Sequence, residues 1–156
     1  MEIKEKVIVI TGAAQGLGKN FALDLAKRGA KLALADINQE LLEEVRKTCE
    51  QAGTESRAYD LNVAEEKAVE DFFDQAVSDF GTVDVLINNA GITRDGLIAR
   101  SKDGEIKKMS LANWQAVIDV NLTGSFLCGR EFFVKLLEQK KPGVCINISS
   151  LSRFGN

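Results

Sequence analysis

Residues 6–20 read KVIVITGAAQGLGKN, and this stretch decides the fold. KVIVIT (residues 6–11) is a strand-length apolar run. The next seven residues hold Gly12, Gly16 and Gly18, after which Leu17, Phe21 and Leu25 fall at helical spacing. Glycines between a buried strand and a helix let the backbone turn tightly and approach a pyrophosphate. The N–H groups and dipole at the helix N-terminus favour that charge. A P-loop is the competing reading. It fails because the glycine spacing is one residue too long and Asn20 stands where Ser or Thr must hold magnesium. The glycines alone leave open a purely structural turn.

The same alternation continues outward. KLALAD (31–36) predicts a second buried strand, and Leu41, Val45 and Cys49 mark one face of a second helix closed near Gly53. RAYDL (57–61) reads as a third strand. Val69, Phe72, Phe73, Ala76, Val77 and Phe80 then form an amphipathic helix, and VDVLIN (83–88) a fourth strand. Residues 93–110 are polar and predict a loop with a short helix. A long helix is expected from Trp114 to Gln139, ended by Pro142-Gly143, before a fifth strand, VCINI (144–148). Apolar strands separated by helices imply parallel pairing with helices on both faces: an α/β, Rossmann-like, doubly wound sheet. Residues 1–156 show no repeat or linker and predict a single dinucleotide-binding domain.

Composition narrows the function. A net charge of −3 lacks the basic excess of a nucleic-acid binder, and no apolar run approaches the 18 residues of a membrane span. The N-terminus has no signal-peptide core, so a cytoplasmic protein is expected. The chain has no histidine, and Cys49, Cys128 and Cys145 lack metal-ligand spacing, which leaves neither a zinc site nor a histidine-based triad to expect. The cysteines read as small packing residues. Asp36 ends the second strand, 18 residues beyond Gly18. A carboxylate there accepts hydrogen bonds from adenosine ribose hydroxyls and repels a 2′-phosphate, favouring NAD over NADP. The plainer alternative is a helix cap, which Asp36 or Asn38 could serve.

The motifs together resemble the classical short-chain dehydrogenase/reductase family. Thr11–Gly18 has the family's T-G-x-x-x-G-x-G spacing. Asp60-Leu61 stands at its adenine-binding position, and Asn88-Asn89-Ala90-Gly91 matches its N-N-A-G motif. Asn121 resembles its catalytic-helix asparagine, and Asn147-Ile148-Ser149-Ser150 its serine-bearing strand end. The resemblance implies cofactor contacts from Gly12, Gln15, Gly16, Leu17, Gly18, Asp36, Asp60, Leu61, Asn88, Asn89, Ala90 and Gly91. It implies catalytic roles for Asn121, whose main chain would hold a relay water, and for Ser150, which would orient a carbonyl. Ser149 is the alternative serine, because residues 151–156 are one residue shorter than the usual loop.

The family's proton donor is a tyrosine with a lysine four residues later, expected just beyond Asn156. Tyr59, on the third strand, is this sequence's only tyrosine. The resemblance thus implies five of about seven strands and a chain inactive by itself. In the parent enzyme it implies hydride transfer between NAD(P) and an alcohol or ketone. The run NNAGITRD (88–95) most resembles 3-oxoacyl-acyl-carrier-protein reductases of fatty acid biosynthesis, which usually use NADP. Asp36 argues for NAD, with NADP the alternative. The implied partners are a small alcohol/ketone or acyl thioester substrate and other copies of the chain in a tetramer. A non-catalytic dinucleotide-binding protein and an inactive fragment are the alternative functions.

Overall fold

The structure, a computed structural model, describes residues 2–102 and 104–150. In chain order its elements are β1 (Val7–Thr11), α1 (Gly16–Lys27), β2 (Lys31–Asp36), α2 (Gln39–Gln51), β3 (Ser56–Asp60), α3 (Glu66–Phe80) and β4 (Val85–Asn88). They continue with β5 (Ala99–Lys102), β6 (Glu105–Lys108), α4 (Leu111–Ile118), α5 (Gly124–Glu138) and β7 (Val144–Asn147). Five strands make one parallel sheet in the order β3-β2-β1-β4-β7, the expected Rossmann-like arrangement.

Alternating strand residues feed two cores. Ile8, Ile10, Leu32, Leu34, Val85 and Ile87 pack against α1 and α2, through Ala22, Ala26, Leu42, Val45 and Cys49. Val7, Val9, Ala33, Ala35 and Leu86 face the other way, against Val69, Phe72, Phe73 and Ala76 of α3 and Leu127, Cys128, Phe132 and Leu136 of α5. Burial on both faces is why these strands read as unbroken apolar runs.

The structure departs from the sequence reading in three places. Within residues 93–110, Ala99–Lys102 and Glu105–Lys108 pair as an antiparallel hairpin, β5–β6, and the described residues there include no helix. Its signal is the Asp103-Gly104 dipeptide, a strong hairpin-turn pair, with Gly104 at φ 82°. The long helix starts three residues before Trp114, because the Ser110 hydroxyl caps it by accepting the Asn113 N–H at 3.2 Å. Its middle is a π turn, Asp119–Thr123, in which the Gly124 N–H reaches back to the Asp119 carbonyl. Smaller shifts move β3 back to Ser56–Asp60, start β4 at Val85 and end β7 at Asn147.

Candidate functional site

The chain runs β1–β2–β3 toward one edge of the sheet and then crosses back to β4 on the other side of β1. Loops leaving the strand ends at such a reversal part and leave a crevice. A groove of about 460 Å³ lies there, lined from the glycine loop (Gly12, Gln15, Leu17), from Asp36–Asn38, from Leu61–Val63, from Asn89–Ile92 and from Val120 of the π turn.

The three glycines of the loop do different things. A β-carbon on Gly18 would lie 2.1 Å from the Gly12 carbonyl oxygen, and one on Gly12, at φ 65°, would lie 2.8 Å from Ala90 Cα. Those two let chain pass chain. Gly16 has φ 56° and nothing within 4 Å of its missing side chain, so open space adjoins its backbone. Gln15, the residue before α1, makes no side-chain cap, and the first turn of α1 holds no acidic residue. Open space beside an uncapped helix N-terminus suits an anionic group.

The helix-cap role that the sequence left open between Asp36 and Asn38 falls to Asn38. Asn38 caps α2, its side chain accepting the Leu41 N–H at 3.1 Å. The Asp36 carboxylate accepts the Ala14 N–H at 3.0 Å and the Asn38 N–H at 3.0 Å, tying the glycine loop to the end of β2. Each carboxylate oxygen has two acceptor positions, so capacity remains toward the groove.

Asn88 and Asn89 spend their amides on the framework. Asn88 donates to the Ser125 carbonyl at 3.1 Å and to Asn147 Oδ1 at 2.9 Å, joining β4 to α5 and β7. Asn89 donates to the Thr11 and Gly12 carbonyls at 3.0 Å each. The Thr11 hydroxyl, which the sequence reading left without a role, accepts the N–H groups of Asn89 and Ala90 at 3.1 Å. It thereby fixes the start of the Asn89–Ile92 wall.

Asn121 grips the far end of that wall. Its Oδ1 accepts the Ile92 N–H at 2.9 Å and its Nδ2 donates to the Ile92 carbonyl at 3.0 Å. The Asn121 carbonyl accepts the Ser125 hydroxyl at 2.9 Å. Ser149 and Ser150 are exposed beyond β7, at the same strand end as Asn88 because Asn88 and Asn147 pair in register. Residues 151–156, whose length bears on the choice between the serines, lie outside the described residues.

Two other residues fall away from the groove. Asp60 is exposed and lines a separate shallow depression beside α3, whereas Leu61 next to it does line the groove. Tyr59 donates its hydroxyl to Asp79 at 2.8 Å and packs edge-on against Phe72; burial and then the Asp79 hydrogen bond push its pKa up. Burial raises Cys49 to about 11 and Cys128 to about 12, so these buried thiols stay protonated at neutral pH. Ile37, Val63, Ile92 and Val120 were not singled out from the sequence. Each lies within two residues of one that was, or beside Asn121, and adjacency was their only signal.

The family model described as short chain dehydrogenase matches residues 6–155. The chain belongs to the short-chain dehydrogenase family. The 3-oxoacyl-[acyl-carrier-protein] reductase FabG of Thermotoga maritima is 36% identical over 157 residues, covering all of this chain and 60% of that protein. Its namesake from Staphylococcus epidermidis (strain RP62A) is 38% identical, covering 94% of this chain and 57% of its own length. The chain thus spans a little under two thirds of these curated relatives. Among solved short-chain dehydrogenases and similar folds, NAD+-bound xylitol dehydrogenase superposes with a TM-score of 0.86 at 31% identity, over all of this chain and 57% of its own. A Burkholderia phymatum short-chain dehydrogenase/reductase in complex with NAD gives 0.84 at 33%, over 97% of this chain and 51% of its own. Among the described residues, no helix is long and apolar enough to cross a membrane.

Proposed function

We propose that this chain forms the dinucleotide-binding part of an oxidoreductase that uses NAD in preference to NADP and acts on an alcohol or ketone. The observation that carries the reading is the Asp36 carboxylate, held at the groove by the loop N–H of Ala14, with no cationic side chain among the described residues that line the groove. A bound nicotinamide dinucleotide would supply the site for hydride gain or loss. Gly16 and the first turn of α1 would hold its pyrophosphate, and Asp36 would accept from its adenosine ribose. Leu61 and Val63 offer an apolar wall for the adenine, and Ala90 and Gly91 a wall for the chain beyond. The two similar structures that hold NAD support this choice of cofactor.

Ser150 is the hydroxyl we assign to orienting a carbonyl, with Ser149 the alternative. Asn121 fixes the groove wall through Ile92 and offers its carbonyl to a proton-relay water. The two FabG relatives make a 3-oxoacyl thioester the favoured substrate class. Titrating the protein with NADH and NADPH by fluorescence, then assaying oxidation of the tighter cofactor by a 3-oxoacyl thioester, tests the reading. Tighter NADH binding is expected, and equal or tighter NADPH binding would overturn the cofactor assignment.

Tyr59 favours a second reading for the 156-residue polypeptide taken alone. With its hydroxyl committed to Asp79 on α3, it does not line the groove and offers no proton donor there. That polypeptide is expected to bind a dinucleotide without turning over.

A further inference from the structure

We propose that the β5–β6 hairpin and the start of α4 form a phosphate-binding cradle, separate from the dinucleotide groove and next to its mouth. Residues 94–108 carry five basic and three acidic side chains in a chain whose net charge is −3. Arg94, Arg100, Lys107 and Lys108 line one concavity of about 390 Å³, with Asp95 the only acidic one among its described lining residues and Ser110 at its wall.

Arg100 and Lys107 are directly paired across the antiparallel ladder, so their side chains leave the same face of the ribbon. Like charges at such a pair repel. Among the described residues the only ion pair to any of the four cations is Lys107 with Glu105, at 3.8 Å. Arg94 has only the Thr93 carbonyl, at 3.2 Å. A ribbon held together by backbone hydrogen bonds therefore keeps cations close that its carboxylates leave mostly uncompensated. An oxyanion with several acceptor oxygens relieves that repulsion, and a guanidinium matches a phosphate edge with two parallel hydrogen bonds. The positive end of the α4 dipole works the same way, since no acidic residue in its first turn offsets it.

Position gives the cradle its use. Ile92 lines the dinucleotide groove and Arg94 lines the cradle, two residues on, which is at most about 7 Å of chain. A phosphate held here sits at the entrance to the groove. It could belong to the handle of an elongated substrate or to a free phosphorylated effector, and both present the same chemistry.

The test is calorimetric titration of inorganic pyrophosphate into the full-length protein already saturated with NAD, so that the glycine loop is occupied. The double variant Arg100→Gln/Lys107→Gln is expected to bind pyrophosphate about tenfold more weakly or worse. Arg100 and Lys107 are exposed, so the fold should survive, and circular dichroism checks it. Lys107→Arg should retain binding. Pyrophosphate binding that is absent at millimolar concentration, or equal in wild type and double variant, overturns the cradle. Should NAD not bind, the same comparison without it still reads the hairpin, since only hairpin-dependent binding counts. A second arm compares KM for a 3-oxoacyl thioester carrying a phosphorylated handle with KM for its N-acetylcysteamine counterpart. A rise in the double variant confined to the phosphorylated compound assigns the phosphate to the substrate. Unchanged KM values alongside lost pyrophosphate binding assign it to an effector.

Discussion

The centre of the sheet and its β7 edge are finished to different degrees. Around β1 and β2 both faces are sealed: Ile10 and Leu34 are fully buried under α1 and α2, and Val9 and Ala33 under α3 and α5. At β7 only one face is closed. Cys145 packs into the α3/α5 core, while Val144, Ile146 and Ile148, one row by alternation, are about 40% exposed. The partners of that row across the ladder, Val85 and Ile87, belong to the core beneath α1 and α2, so the uncovered row is on that same face. The outer side of the long helix continues the contrast, with Trp114, Leu122, Phe126, Phe133 and Leu137 all half exposed or more. The closed region carries the groove, and its stability belongs to the local chain. The open region carries apolar surface that is stable only when something covers it.

The largest expected effect lies in the closed region. Gly18→Ala places a β-carbon inside the contact radius of the Gly12 carbonyl and 2.6 Å from Asn89 Nδ2. It should cost about 3 kcal/mol and loosen the glycine loop. Gly16→Ala meets no atom and carries only the strain of its positive φ, about 1–2 kcal/mol. It should remain folded yet lose most dinucleotide affinity, because the new methyl enters the space assigned to the pyrophosphate. Urea unfolding and NADH titration on both variants separate these effects. If Gly16→Ala binds NADH normally, the loop is only a turn.

The second test compares the centre with the β7 edge directly. Ile10→Ala should cost about 3 kcal/mol and Ile146→Ala less than about 1 kcal/mol. The 156-residue polypeptide is expected to self-associate at micromolar concentration, since β7 is an apolar edge strand with an uncovered face. Ile146→Lys should shift light scattering toward monomer. Equal costs for the two alanine variants, together with a monomeric wild type, would erase the contrast.

The sequence made the closed region legible for a physical reason. Strands buried on both faces leave apolar runs, and the helices over them repeat at three and four residues, so β1, β2, α3 and a doubly wound parallel sheet follow from pattern alone. The hairpin was not legible from periodicity, because its described residues are exposed on both faces and none has to be apolar. Its one mark was the Asp103-Gly104 pair. The π turn left no mark, since it is one extra residue in a helix whose outer face is solvent. At the site, residue types were readable but their division of labour was not. Asn88 and Asn89 are amides at a strand end in either role, and only the geometry shows them spent on Ser125, Asn147, Thr11 and Gly12.

A smaller effect is expected at Asp36, because its hydrogen bonds to Ala14 and Asn38 mix support with recognition. Asp36→Asn keeps an acceptor for one of those N–H groups while removing the charge. NADH affinity should fall about tenfold and NADPH affinity should fall less or rise, narrowing the gap between them. Titration of both cofactors against wild type and variant checks it. Parallel losses for both would leave Asp36 as a support for the loop and nothing more.

The smallest effect sits on the seam between the two regions. Asp84 Oδ2 accepts the Val7 N–H at 2.9 Å, and its Oδ1 accepts Lys141 Nζ at 2.9 Å, with Lys6 at 3.7 Å. Its backbone continues the tie, donating to the Val7 carbonyl and accepting the Val144 N–H. Burial works against the charge, but Lys141, the Val7 N–H and Lys6 together outweigh it and hold the carboxyl below the usual carboxylate range. A carboxyl depressed in the folded state adds stability above its unfolded pKa, about 3.9, and loses that contribution as the pH falls through the folded value. Asp84→Asn should therefore cost about 1 kcal/mol at pH 7. The difference between wild type and variant should shrink progressively below about pH 4. Urea unfolding across that range reads it. Because the same side chain joins β1 to the turn before β7, the variant should also raise amide exchange at Val144–Asn147 more than at Val7–Thr11. Equal exchange at both strands would mean that the open end of the sheet does not depend on this tie and is held by α5 alone.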